Sequence, residues 1–445
     1  MDSPLNISAV SDLAATIPGS SQSYRNNLEL FSIPPTDVSV LSKQFVCIEP
    51  TNSISDENNP IMFNIPPFVE KYIDLHSSYL YIKAKIVKKD GGEIPANANI
   101  APSNYFFYTL FSAVDVSLNG VVVTEPSYTY PYKVLMNYMC TKSKAEKKSF
   151  LTQELCYPDT AQNTFTDTNS GFKKRKEIAA GSKPFEMIGN IHASIFQQQR
   201  YLVPNVSIQL KLIRSTPEFC LEGSSNTAGN PTVACPYKVL VEECTFNLKV
   251  LDCHTNIMKL HKSLFSKGIK ARYAYTDSKI VVSQVQSGTL LHLSDQIVTG
   301  KLPTYLIIGF IDALEFYGKW QKSCLSFENH GVATITIKTN HTLLKYEQLK
   351  VDFENDLYLR AYKQLYDSIA NHKGIKLSRD SFKTSPLFVF QIISTATTSM
   401  VPELSGIIRV EVNFKSTTTK PINLLISCMT QHLLEIDHDL NIYYS

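Results

Sequence analysis

The sequence predicts an all-β chain of two tandem copies of one β-sandwich unit, with a short helix inserted between the strands of each. Three observations carry that prediction: segments of strict apolar and polar alternation, a set of patterns recurring in the same order in both halves, and a composition suited to pleated surfaces. Tyr and Phe supply 23 residues each against a single Trp, and Val, Ile and Thr recur throughout, the residue types enriched in strands. At 445 residues the chain is too long for one ordinary core, and roughly 150 residues per domain allows two or three units.

Residues 1–40 are rich in Ser, Asn and Pro and without periodicity, which predicts a flexible arm that orders only against a neighbour. Strand signals follow at 61–66 (IMFNIP) and 80–87 (LYIKAKIV), where Leu80, Ile82, Ala84 and Ile86 alternate with Tyr81, Lys83 and Lys85, so one face is buried and the other wet. In NVSIQLKLIR, Val206, Ile208, Leu210 and Leu212 point one way while Ser207, Gln209 and Lys211 point the other. A twin lies near the C-terminus, where Ile408, Val410, Val412 and Phe414 alternate with Arg409, Glu411 and Asn413.

These twins belong to a longer internal repeat, the feature that decides architecture. In the first half VDVSLNG (114–120) runs into an Asn-Gly turn, then VVVT, then YPYKVLMNYM; in the second ITIKTNH (335–341) runs into an Asn turn, then TLLKYEQL, then RAYKQLYDSI. The closing segments share a helical register: Tyr132, Leu135, Met136 and Met139 stand at i, i+3, i+4, i+7, as do Tyr362, Leu365, Tyr366 and Ile369, so each helix is expected to offer one apolar stripe to a sheet. The copies meet in a short polar stretch within 251–270, giving an arm at 1–40, a first unit at 41–250 and a second at 251–445. No helical patterns alternate with the strands, which removes parallel βαβ folds and leaves antiparallel sandwiches, jelly rolls being the common answer for units of this size. Long polar loops are expected at 88–103, 141–185, 219–235 and 370–385.

The chemistry-bearing patterns are mostly absent. The chain has no G-x-x-x-x-G-K-[ST], G-x-G-x-x-G, G-x-S-x-G or H-E-x-x-H, and its ten His are dispersed with no H-x-H spacing, which disfavours a cupin-type enzyme. Cys253-His254 and the acidic run around His438 lack the spacing of a defined metal site. Neither a catalytic residue, a cofactor site nor a metal site is expected. The 43 Lys+Arg against 40 Asp+Glu give no strong pull toward nucleic acid or acidic lipid. Nine scattered cysteines without a C-x-x-C pair fit a reducing compartment, so Cys220 and Cys235, which bracket a Gly- and Ser-rich loop, are expected as free thiols. No signal peptide and no membrane-length apolar run is seen, and the sequons at Asn6, Asn205 and Asn340 are expected to be unused. Two basic runs remain, Lys142/Lys144/Lys147/Lys148 and Lys173/Lys174/Arg175/Lys176; a run like the second can bind phosphate backbone or serve as a nuclear import address, since either needs only clustered exposed positive charge, though a solvated loop is the plainer account.

The stretches DLHSSYLYIKAKI, NYFFYTLFSAVDVSLNG, YPYKVLMNYM and FQQQRYLVPNVSIQLKLIRS followed by EFCL resemble the hexon-like double jelly-roll major capsid proteins of Polinton (Maverick) elements and adintoviruses, from about residue 70 to the C-terminus. The resemblance implies a structural protein of the virion shell, made as a soluble chain inside a host cell. In that family the two rolls stand upright, and three subunits make a pseudo-hexagonal capsomer that tiles an icosahedral capsid beside penton or minor capsid proteins. The helix residues Tyr132, Leu135, Met136, Tyr362, Leu365 and Tyr366 are then packing or interface candidates, the loops 141–185 and 219–235 trimer or surface contacts, and the basic run Lys173/Lys174/Arg175/Lys176 a candidate for non-specific contact with packaged DNA. The competing reading is a jelly-roll binding module, or a domesticated capsid copy with a role outside any virion.

Overall fold

The structure, a computed structural model, describes residues 30, 33, 36–125, 127–161, 163–224, 234–340, 347–370, 377–393 and 400–444. Most of the arm expected at 1–40 lies outside the described residues, as do the middle of the 219–235 loop and part of the 370–385 loop.

The first half contains β1 (Val40–Ile48), β2 (Ile61–Ile65), β3 (Lys71–Lys88), β4 (Ile100–Pro102), β5 (Phe111–Leu118), β6 (Val121–Val122), β7 (Phe185–Gly189), β8 (Ile208–Arg214), β9 (Leu221–Gly223) and β10 (Tyr237–Cys253). They form antiparallel sheets in the orders β1-β10-β3-β7 and β2-β8-β5-β6, with β4 and β9 paired separately. The second half contains β11 (Ala271–Val285), β12 (Leu291–Lys301), β13 (Tyr305–Asp312), β14 (Val332–Thr339), β15 (Glu347–Lys350), β16 (Phe388–Gln391), β17 (Ser405–Phe414), β18 (Ile422–Ile436) and β19 (Ile442–Tyr444). Its sheets run β11-β18-β13-β16, with β19 on β18, and β12-β17-β14-β15. With β4, β9 and β19 set aside, each half has eight strands in the same arrangement. First, eighth, third and sixth form one sheet; second, seventh, fourth and fifth form the other. This is the jelly roll, made twice.

The repeat read from the sequence falls on equivalent strands. The alternating twins are β8 and β17, the seventh strand of each roll: Ile208, Leu210 and Leu212 are buried in one, Ile408, Val410, Val412 and Phe414 in the other. The turn asparagines also correspond, down to their hydrogen bonds. Asn119 and Gly120 have φ of 46° and 80°, the doubly positive pair of a tight hairpin turn. Asn119 Oδ1 accepts from Ser207 N at 2.8 Å, and Asn119 N donates to Ser207 O. Asn340 Oδ1 likewise accepts from Ile407 N at 2.7 Å, and Asn340 N donates to Ile407 O. In both rolls this side chain clamps the turn after the fourth strand to the entry of the seventh.

Among the described residues no sheet mixes strands from before Cys253 with strands from after Ala271, yet one apolar core cluster runs through both rolls. Where the sequence suggested a polar stretch, the connection is a helix, Thr255–Ser266, none of whose residues is buried.

Candidate packing and assembly surfaces

The helix Tyr130–Thr141 follows the fifth strand of the first roll and is buried almost all round. Tyr130, Tyr132, Val134, Leu135, Met136, Tyr138, Met139 and Cys140 are inside, leaving only the strip of Lys133, Asn137 and Thr141 partly open. One apolar stripe was expected; the helix has several, because it packs against β5 of its own roll and β11 of the other. Tyr132 is stacked on Phe316 at 5.1 Å, and its hydroxyl donates to Phe316 O at 3.2 Å and Cys324 O at 2.9 Å. Lys133 forms an ion pair with Asp277 of β11, whose side chain is 10% exposed and which also accepts from Ser194. Burial favours the neutral acid, but Lys133 and the hydrogen bonds outweigh it and hold the Asp277 carboxyl below its ordinary range. Beneath the helix, Glu154 Oε1 accepts from Tyr108 and Tyr138 at 2.9 and 3.2 Å. Burial pushes this carboxyl up to about 7 against the pull of those hydroxyls.

The other side of the seam is the connection from β13 to β14. Trp320 is buried, its carbonyl accepting from Gly223 N at 2.8 Å. Ser323 N donates to Asn163 Oδ1 at 2.8 Å. Two glycines allow this approach. A Cβ on Gly223 would lie 2.4 Å from Asn99 O, and one on Gly318, at φ +94°, would lie 2.9 Å from Phe219 N.

In the second roll the helix Leu359–Ala370 occupies the equivalent place, between the fifth and sixth strands, and packs on β15 and β16. Its buried side is Ala361 and Leu365, continued by Tyr358 just before the helix, with Tyr362 half-buried and donating to Leu377 O at 3.0 Å. The stripe is therefore displaced from the expected one: Tyr366 is 47% exposed, and the Ile369 side chain lies outside the described residues. The i, i+3, i+7 set that meets the sheet begins at Tyr358, one turn earlier than the sequence register suggested.

The basic run needs a correction. Residues 170–179, expected within a polar loop, form a helix whose buried side is Gly171, Phe172, Arg175 and Ala179. Arg175 is fully buried, donating to Pro102 O and Tyr157 O and pairing through Nη2 with Glu222 at 2.9 Å and Asp159 at 3.1 Å. It is a structural charge, compensated inside. Even with that guanidinium beside it, burial raises the Glu222 carboxyl above the usual range. Lys173 and Lys176 pair with Glu177 and Asp167, and Lys174 lies over the Tyr157 ring. A run of like charges conceals helical spacing, and this one puts a member indoors. All nine cysteines are free, Cys220 and Cys235 among the buried ones. Among the described residues no three His, Cys, Asp or Glu side chains form a metal-holding cluster, and no helix is long and apolar enough to cross a membrane.

A surface absent from the sequence reading lies on β12. Leu290, Leu291 and Leu293 are 51%, 49% and 57% exposed, whereas His292 and Ser294 turn inward and hydrogen-bond each other and Ser283. The register explains the inversion. His292 and Ser294 stand opposite Val412 and Val410, which face the core, and Leu291 and Leu293 opposite Asn413 and Glu411. Directly opposed residues share a face, so the leucines are on the outside of an edge strand. The signal was present as apolar residues alternating with His and Ser, but alternation alone does not say which side faces inward.

No protein-family model matches the chain. An uncharacterised protein of Caenorhabditis elegans is 19% identical over 401 residues, 87% of this chain and 93% of that protein. Among solved structures, a chain of the Sputnik virophage cryo-EM structure is similar with a TM-score of 0.64 at 11% identity, covering 97% of this chain and 94% of that one. The mavirus major capsid protein gives 0.53 at 11% identity, covering 97% and 96%, and the Faustovirus major capsid protein 0.56 at 9%, covering 91% and 92%. At such identities the likeness is one of fold, extending over both rolls.

Proposed function

We propose that this chain is a hexon-like major capsid protein, three copies of which associate so that six rolls form one pseudo-hexagonal tile of an icosahedral shell, in the lineage of Polinton and Maverick elements and adintoviruses. The observation that carries the reading is the same eight-strand arrangement made twice in one chain, over a length that matches viral major capsid proteins nearly end to end. Two rolls fused rigidly make each subunit a third of a near six-fold object, and the buried seam at Tyr132, Lys133 and Trp320 supplies that rigidity. The units are the arm (1–40), the first roll (41–250) and the second roll (251–445). The nematode relative supports an origin in elements resident in animal genomes.

Leu290, Leu291 and Leu293 supply a subunit contact. Apolar side chains on the outside of an edge strand are a liability for a monomer and an asset for an assembly. The run 173–176 plays no part in this assembly, since Arg175 is inside and two of its lysines are ion-paired. Light scattering on the purified full chain, followed by negative-stain imaging, tests the proposal: with chains of 50.0 kDa, a mass of about 150 kDa or closed shells is expected. A stable monomer that forms no particles would overturn it in favour of a jelly-roll binding module.

A further inference from the structure

The helix Thr255–Ser266 joins the rolls yet buries none of its residues, although Ile257, Met258, Leu264 and Phe265 turn toward the protein and are half-buried. It is held by a few contacts: Tyr72 Oη hydrogen-bonds His261 Nδ1 at 2.6 Å, and Lys262 pairs with exposed Glu70. Beneath it lies a groove of about 630 Å³, walled by Tyr72 and Tyr201 of the first roll and Tyr273 of the second and roofed by Leu264 and Phe265. Its rim carries Arg200, Lys270 and Arg272, of which Lys270 and Arg272 share the single carboxylate Glu435.

We infer that this groove is the receptor for the N-terminal segment of the same polypeptide, residues 4–17. Three observations select that occupant. The chain enters at the groove itself: Ser39 and Val40 line it, and Ser39 O accepts from His254 N at the start of the helix. Residues 4–17 carry Leu5, Ile7, Val10, Leu13 and Ile17, suited to the apolar floor. Their charge also complements the rim, for Asp12, like Asp2 before it, is acidic and no Lys or Arg precedes Arg25. The residues between Ile17 and Ser39 reach up to about 70 Å when extended, far more than the groove requires. A tether of this kind holds the segment at an effective concentration on the order of millimolar, so modest apolar burial suffices to seat it. The arm expected from the sequence to order against a neighbour orders against its own chain, completing the joint between the rolls. This inference does not depend on the capsid reading.

The test uses the full chain with a benzophenone amino acid at position 13. After irradiation, crosslinks are expected on Thr255–Ser266 and around Tyr273, and in mixtures of light and heavy isotope-labelled protein they join residues of one label. Crosslinks elsewhere, or mixed-label pairs, overturn the inference. Independently, a variant carrying Leu5→Asp, Leu13→Asp and Ile17→Asp, which alters none of the described strands, is expected to speed amide exchange in Thr255–Ser266 at least tenfold with β3 and β10 unchanged; unaltered exchange in that helix also overturns it.

Discussion

Two helices at the same place in the repeat have diverged. Tyr130–Thr141 and Leu359–Ala370 each follow the fifth strand of a roll, and their apolar residues share a register in the sequence. The first is enclosed, because the second roll closes over the side that would otherwise face water; the second keeps an exposed face with Lys363 and Asp367 paired on it. A duplicated unit thus offers two copies of each element but only one seam, and the copy that lies at the seam is converted from a surface helix into core.

The sharpest test of that asymmetry is a pair of truncations. Tyr132→Ala removes a stacked ring and two hydrogen bonds across the seam and is expected to cost about 3–5 kcal/mol in denaturant unfolding, whereas Tyr362→Ala, half-buried, is expected to cost less than half as much. Equal costs would break the comparison. Lys133→Met, which leaves Asp277 buried without its cation, is expected to cost about 3 kcal/mol at pH 7. The loss should shrink as the pH is lowered and Asp277 takes up a proton, measured as the unfolding midpoint against pH.

The Glu154 carboxyl beneath the first helix gives a pH signature with no counterpart among the described residues under the second roll's helix. Its folded pKa, about 7, is raised above the ordinary 4.5. Its contribution is therefore fully present below about 4.5 and lost as the pH rises through 7, a swing of about 3 kcal/mol. Glu154→Gln should flatten the fall in stability between about pH 4.5 and 7 relative to the unaltered chain. Identical profiles for the two proteins would show that this carboxyl is not held neutral under the helix.

How much of this was legible in the sequence follows from which signals are local. The period-two strands, the Asn119 and Asn340 turns and the order of the repeat depend on neighbours along the chain, and they identified the double jelly roll. What faces a second roll does not. Nothing local distinguishes Tyr132, inside a seam, from Tyr366, exposed on the equivalent helix, because the difference lies in what packs from nearly two hundred residues away. Arg175 was misread for a related reason: its buried partner Glu222 is distant in sequence, and the flanking lysines made the run appear uniformly wet. The leucines of β12 were missed because alternation gives two faces without saying which is inside, and only pairing with β17 decides.

The smallest expected effect on stability is the one that separates folding from assembly. Tyr366 lies on the open side of the second helix and Leu359, 53% exposed, stands about two turns before it, on the same face. Tyr366→Ser removes a side chain that the folded chain leaves largely in water, so unfolding should shift by no more than about 0.5 kcal/mol. In the proposed capsomer the same face would be available to a neighbour, and an aromatic ring is the type of side chain that concentrates binding energy at an interface. Unchanged stability with a shift from 150 kDa toward monomer, seen by light scattering at matched concentration, would make the second helix an element of assembly just as the first is an element of the seam. Unchanged stability with unchanged mass would confine the subunit contact to surfaces such as β12, and the same measurement on Leu291→Glu would then carry the test.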